Sequence, residues 1–121
     1  MRILKKLTTK KMNLHNKAWL AGFFDGEGSV GRYRGHGRKS KYLSYSLEIN
    51  NTHLPSLVYC QYITGVGNIY IKRVNKKYKK QWVWAIKSQR NIMDILKQIF
   101  PFLQTKKNKV NLLLTEWVDT E

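Results

Sequence analysis

The chain has 121 residues, 42% of them apolar and 12% aromatic, which is enough for one domain with a real core and too little for two ordinary ones. Lys and Arg number 23 against 7 Asp and Glu, a net charge of +16, which excludes a charge-balanced surface and points to a polyanionic partner, nucleic acid first and an anionic membrane second. The single cysteine, Cys60, excludes an internal disulfide and fits an intracellular reducing compartment, and no run of about eighteen apolar residues exists to cross a membrane as a helix.

Residues 1–12 read as a basic arm without the apolar centre of a secretory signal, and residues 13–121 as a single domain. A helix is expected over 14–26 with Asn13 as its N-cap. Trp19, Leu20, Phe23 and Phe24 form one stripe, and Leu14, Ala18, Ala21, Gly22 and Gly26 a second stripe of mostly small residues. The segment from Ala18 to Phe24 carries no charge, so both sides of this helix call for burial.

Strands are expected over 28–34 and 42–50, joined by the loop 35–41. The second alternates, with Leu43, Tyr45, Leu47 and Ile49 inward and Tyr42, Ser44, Ser46 and Glu48 outward. In the first, an inward Val30 leaves Ser29, Gly31 and Tyr33 outward, and Arg32 nominally inward. A helix over 53–64 follows, capped by Thr52, with Leu54, Leu57, Val58 and Tyr62 inward and Pro55 in its first turn. Gly65-Val66-Gly67 breaks the chain.

A second hairpin spans strands 68–74 and 81–87 around a basic turn, with Ile69, Ile71, Trp82, Trp84 and Ile86 inward. Ser88 caps a helix with the stripe Ile92, Ile95, Leu96 and Ile99, which Pro101 ends. A last helix over 106–118, capped by Thr105, carries Val110, Leu113, Leu114, Trp117 and Val118. The order α-ββ-α-ββ-α-α predicts an α+β domain: a four-stranded antiparallel sheet, saddle-like, with helices on one face and a polar, aromatic, basic surface on the other.

Nine consecutive residues, Leu20-Ala21-Gly22-Phe23-Phe24-Asp25-Gly26-Glu27-Gly28, flanked by Trp19 and Ser29-Val30, are the most specific feature. They resemble the signature of the LAGLIDADG homing endonucleases, in the variant with two central aromatic residues and a closing Asp-Gly-Glu-Gly. The element order fits that family's fold as well, from about residue 13 to 118. The resemblance implies a single-motif, homodimeric, intron-encoded enzyme that hydrolyses both strands of a long, near-palindromic DNA site. It makes Glu27 the metal ligand, with the main-chain carbonyl of Gly26 as a second, and gives Asp25 a structural place near the helix ends. A catalytic amide is implied where Asn51 stands, with Asn50 the alternative, and a catalytic-pocket lysine at Lys106, with Lys107 its neighbour. Turn chemistry before a helix is the bland reading of the asparagines; a solvated helix N-terminus is that of the lysines.

The motif also has a physical reading of its own. Gly22 and Gly26 are one helical turn apart and permit close approach of another helix. Since only one such helix exists, the partner is a second copy about a two-fold axis, meeting Ala18, Ala21, Gly22, Asp25 and Gly26. Two Glu27 carboxylates about 6 Å apart repel by roughly 3 kcal/mol at an effective dielectric of 20. Divalent cations relieve this, and oxygen-only ligation suits Mg²⁺, which keeps water ligands and takes phosphate oxygens. Mn²⁺ is expected to substitute, and Ca²⁺ to bind without supporting cleavage.

The outward sheet positions Ser29, Gly31, Tyr33, Tyr42, Ser44, Ser46, Glu48, Asn68, Tyr70, Lys72, Gln81 and Lys87 suit base edges of double-stranded DNA in the major groove. The loop cations Arg34, Arg38, Lys39, Lys41, Arg73, Lys76, Lys77, Lys79 and Lys80 suit phosphates. A competing reading is a non-catalytic protein that uses this sheet on intron RNA, as a maturase, or on DNA without cutting. Glu27 favours the nuclease. A membrane partner is set aside because no basic amphipathic helix with a wide apolar face is present. His15, His36, His53 and Cys60 show no zinc spacing.

Overall fold

The computed structural model describes residues 8–34, 43–72 and 80–118. Helix α1 (Leu14–Glu27) runs directly into strand β1 (Gly28–Arg34), followed by β2 (Leu43–Asn51), α2 (Leu54–Thr64), β3 (Asn68–Lys72), β4 (Gln81–Ile86), α3 (Gln89–Ile99), a single 3-10 turn (Phe100–Phe102) and α4 (Lys107–Val118). The four strands form one antiparallel sheet in the order β1-β2-β4-β3. The expected α+β architecture is borne out.

Local chemistry explains most boundaries. Asn13 accepts the Asn16 N–H at 2.8 Å, and Ser88 accepts the Asn91 N–H at 3.3 Å, each satisfying a donor that the first helical turn leaves free. Gly65 ends α2 in the left-handed conformation at φ 75°. Gly67, at φ 97°, lies against the Trp84 indole so closely that a Cβ there would fall 2.2 Å from Nε1. That indole donates to the Val66 carbonyl at 3.0 Å. Two caps differ from expectation. His53 rather than Thr52 occupies the N-cap of α2 and makes no side-chain capping bond. The N-terminal end of α4 takes its acceptor from Asp25, a residue of α1.

The core lies between the sheet and the helices. Leu20, Ala21 and Phe24 of α1 meet Leu47 and Ile49 of β2, Trp84 and Ile86 of β4, and Ile92, Ile95, Leu96 and Ile99 of α3. Trp117 closes the far end, its ring 4.8 Å from that of Tyr45. The inward stripe of α2 is Leu57, Cys60 and Ile63, while Val58 and Tyr62 are exposed. This helix bears no charged residue, so periodicity alone could not choose its buried face.

Arg32, Leu43 and Ile71 have the register of the helix side yet are exposed, because the strands run past the helical layer. The same geometry resolves the nominally inward Arg32. The arm expected to end at residue 12 is tied down from Lys10 onward. Lys10 donates its main-chain N–H to Thr64, Gln98 bonds Met12 N–H and the Lys10 carbonyl, and Met12 is part of the core.

Candidate active site and nucleic-acid interface

Helix α1 presents two different sides. Leu20, Ala21 and Phe24 are sealed in this chain's own core, so Ala21 cannot also line a face open to a second copy; that expectation is corrected. Ala18, Gly22 and Gly26 are exposed, with the half-buried Trp19 and Phe23 beside them. A Cβ built at Gly22 or Gly26 would meet nothing within 4 Å. Gly28 is different: a Cβ there would collide with the Phe24 ring at 2.1 Å, so the strand can leave the helix end this tightly only through glycine.

Asp25 turns into its own chain instead of toward a partner helix. Its Oδ2 accepts the Gln104 N–H at 2.6 Å and its Oδ1 the Lys106 N–H at 2.9 Å. A carboxylate on donors at a helix start is the favourable pairing of charge with dipole. Lys106 completes the junction by donating from Nζ to the Asp25 carbonyl at 2.6 Å, with Nζ 5.7 Å from the Phe24 ring centre. The side chain is half-buried, so its amine is held at the C-terminal end of α1. Lys107 is exposed, with Nζ over the Phe100 ring.

Gly26 and Glu27 are the exposed last residues of α1. They offer a main-chain carbonyl and a carboxylate, hard oxygen donors of the kind Mg²⁺ takes alongside water and phosphate. Among the described residues no group of three His, Cys, Asp or Glu side chains comes together as a metal cage. The oxygen donors that the end of α1 offers are thus one carboxylate and one main-chain carbonyl.

The two asparagines separate clearly. Asn51 Oδ1 accepts the His53 N–H at 2.8 Å, which is turn chemistry ahead of α2. Asn50 shares the open sheet face with Glu48 and pairs with Val83. Gly28, which follows Glu27 in the chain, pairs with Ile49, which precedes Asn50. The Asn50 Oδ1 is buried and has no hydrogen-bond partner among the described residues.

The open face of the sheet carries the expected polar set. Ser29, Tyr33, Ser44, Asn68, Tyr70, Lys72, Lys80 and Lys87 are exposed, and Gly31, Glu48 and Gln81 partly so. Ser46 departs from this pattern: it is buried, donates to Glu48 Oε2 at 3.0 Å and accepts from Lys87 Nζ at 3.0 Å. Val83 and Ala85 also sit low on this face, between taller register neighbours on both sides. Tyr33, Ser44, Ser46, Glu48 and Lys87 line an open concavity of about 600 Å³. Arg38, Lys39, Lys41, Tyr42, Arg73, Lys76, Lys77 and Lys79 lie outside the described residues, as does the Arg34 side chain.

Burial pushes the Cys60 thiol up to about 12, against a smaller opposing effect of a backbone hydrogen bond. It is a packed core residue with no role at the site. Sequence reasoning missed the Asp25 cap and the Ser46–Glu48–Lys87 cluster. The cap joins residues 79 and 81 apart in sequence, beyond any local pattern.

A family model described as LAGLIDADG endonuclease matches residues 20–117. A probable intron-encoded endonuclease aI2 of Debaryomyces hansenii is 27% identical over 110 residues, covering 82% of this chain and 16% of that protein. The chain thus spans about a sixth of the curated relative's length. The homing endonuclease I-CvuI, solved with DNA, superposes with a TM-score of 0.68 at 23% identity, over 85% of this chain and 68% of that one. The archaeal intron-encoded homing endonuclease I-Vdi141I, also solved with DNA, gives 0.71 at 18% identity, over 87% and 67%. At these identities the superpositions speak for the fold.

Proposed function

Because the chain belongs to the LAGLIDADG endonuclease family, we propose that it is a site-specific DNA endonuclease, acting as a homodimer with a divalent metal on a long, near-palindromic duplex. The observation that carries this reading is the bond of the Lys106 amine to the Asp25 carbonyl at the helix end that bears Glu27, beside a face of α1 that the described residues leave open.

Two helical glycines cost roughly 1 kcal/mol each relative to alanine. Among the described residues nothing requires Gly22 or Gly26, so a second helix packed on this face is their best justification. Pairing α1 with its two-fold mate brings both Glu27 side chains near the axis and continues the two sheets as one basic surface. Such a dimer supplies one set of catalytic groups per DNA strand.

Glu27 and the Gly26 carbonyl would hold Mg²⁺, which when bound offsets charge developing on the scissile phosphodiester. The chain's own groups do the rest. Lys106, fixed by the Asp25 carbonyl, places a positive charge beside the reacting phosphate. Asn50 stands on the open face of the sheet, and its unpaired Oδ1, buried as the chain stands alone, would orient the attacking water once the side chain turns outward; Asn51 serves the turn. Lys72, Lys80 and the loop cations neutralise phosphates, while the strand side chains read base edges.

The test is incubation with a partly randomised duplex library and Mg²⁺, sequencing any cut ends, with Glu27→Gln in parallel. Cleavage at one near-two-fold site, lost in the variant while binding persists, is expected. Normal cleavage by Glu27→Gln would refute the assignment. Tight binding without cutting by the unaltered protein would favour a maturase or a nuclease that has lost its chemistry.

A further inference from the structure

Glu48 is the only acidic residue in the four strands, and it stands on the face that carries the cations. An exposed ion pair adds little to stability, and a carboxylate aimed at a polyanion opposes binding. Its place there calls for a donor on the ligand. Phosphates offer none; in the major groove only the exocyclic amines of cytosine and adenine do.

The local geometry narrows the choice. Ser46, seated low in the sheet, donates to Glu48 Oε2 at 3.0 Å and accepts from Lys87 Nζ at 3.0 Å; Lys87 Nζ also meets Glu48 Oε2 at 3.3 Å. One buried hydroxyl thus holds an acceptor and a donor side by side, both still reachable, with side-chain exposures of 30% and 63%. Among the described residues, the contacts of the carboxylate fall on Oε2. The matching edge on DNA is a base pair that shows a donor and an acceptor side by side at hydrogen-bond spacing, about 2.9 Å. Both C·G and A·T do this, through N4–H with O6 and through N6–H with O4. Adenine sets its N7 acceptor next to the amine, which repels a carboxylate, and thymine sets a methyl group next to O4. Guanine adds N7 as a second acceptor for a lysine.

We propose that Glu48 and Lys87, braced by Ser46, together read a single C·G base pair, with Glu48 on cytosine N4 and Lys87 on guanine O6 and N7. This rests on the DNA-binding reading above and specifies its substrate. Glu48 lies two residues along β2 from Asn50, on the same face, so the pair falls in the inner part of each half-site.

The experiment is binding selection of the full chain on a randomised duplex library in Ca²⁺, with Glu48→Gln and Lys87→Gln alongside. The unaltered protein is expected to prefer C·G at one inner position of each half-site by roughly tenfold to a hundredfold. Glu48→Gln should move that position toward adenine, whose N6 and N7 an amide matches. Lys87→Gln should relax the same position and leave the others alone. A selected motif that both variants leave unchanged, or affinity lost uniformly at every position, overturns this inference alone. No selected motif from the unaltered protein overturns the DNA-binding reading and this one with it. Thermal melting verifies that each variant is folded; should Glu48→Gln unfold, the Lys87→Gln profile decides.

Discussion

Asp25 and Lys106 hold each other through two separate bonds: the Lys106 main-chain N–H donates to the Asp25 carboxylate at 2.9 Å, and the Lys106 amine donates back to the Asp25 carbonyl at 2.6 Å. The motif's first acid is therefore held within its own chain. It anchors the start of α4 to the end of α1, and that anchor aims the lysine.

Asp25→Ala should remove two acceptors from main-chain donors at Gln104 and Lys106. Leaving such donors unpaired costs about 1–3 kcal/mol each when buried, less where water reaches them. The expected result is a loss of about 2 kcal/mol in urea unfolding, together with slower cleavage. Unchanged stability would show that the anchor is dispensable.

Lys106→Met keeps the length of the side chain and removes its charge. If the amine stabilises charge developing on the phosphate, cleavage should slow by roughly a hundredfold or more with DNA affinity within a few-fold of normal. Single-turnover cleavage and gel-shift titration separate the two. A parallel fall in affinity and rate would make Lys106 only one more phosphate cation.

Gly22→Ala should have opposite effects on the subunit and on the pair. The new methyl group meets nothing within 4 Å in its own chain. Helix propensity then predicts a gain of roughly 1 kcal/mol for the dilute monomer. At a close helix crossing the same methyl group separates the two backbones, so self-association should weaken by about tenfold or more. Sedimentation velocity beside thermal melting at low concentration checks both signs. Self-association left intact would place the contact between copies elsewhere.

The buried thiol of Cys60 gives stability a pH dependence of known sign. Its ordinary value is 9.0, and burial pushes it up to about 12 in the folded protein. Between those values the unfolded chain has lost a proton that the native state keeps. This contribution is complete below pH 9 and declines as pH rises toward 12. Unfolding free energy should therefore fall with pH more steeply than in Cys60→Ala, by at most about 1.4 kcal/mol per pH unit. Native protein at pH 8 should label with a thiol reagent only as fast as it opens. Equal slopes, or prompt labelling, would contradict the burial.

Much of the fold was legible because periodicity and punctuation agree. Alternation placed Leu47, Ile49, Trp84 and Ile86 on the helix side, and Asn13 and Ser88 start their helices through side-chain acceptors. The motif located Glu27 and Gly26 at the exposed end of α1. Legibility failed where the information is not local. The apolar α2 offers no polar face to orient it, so its spacing points Val58 and Tyr62 inward while Cys60 and Ile63 do the packing. The cap of α4 comes from a distant helix, where Thr105 looked sufficient. Asn50 and Asn51 are adjacent, and only the pairing with β4 tells which one stands on the open face of the sheet.

The Gln98 side chain, accepting from Met12 and donating to the Lys10 carbonyl, joins positions 86 and 88 residues apart. Closing a loop of that length costs roughly 3 kcal/mol more entropy than closing the three-residue loop at the Asn13 cap. Contacts of such span form late and, being held by few bonds, release early. The segment from Lys10 to Met12 thus works as a seam of the domain, and limited digestion with a protease that cuts after lysine is expected to register its parting before the sheet gives way.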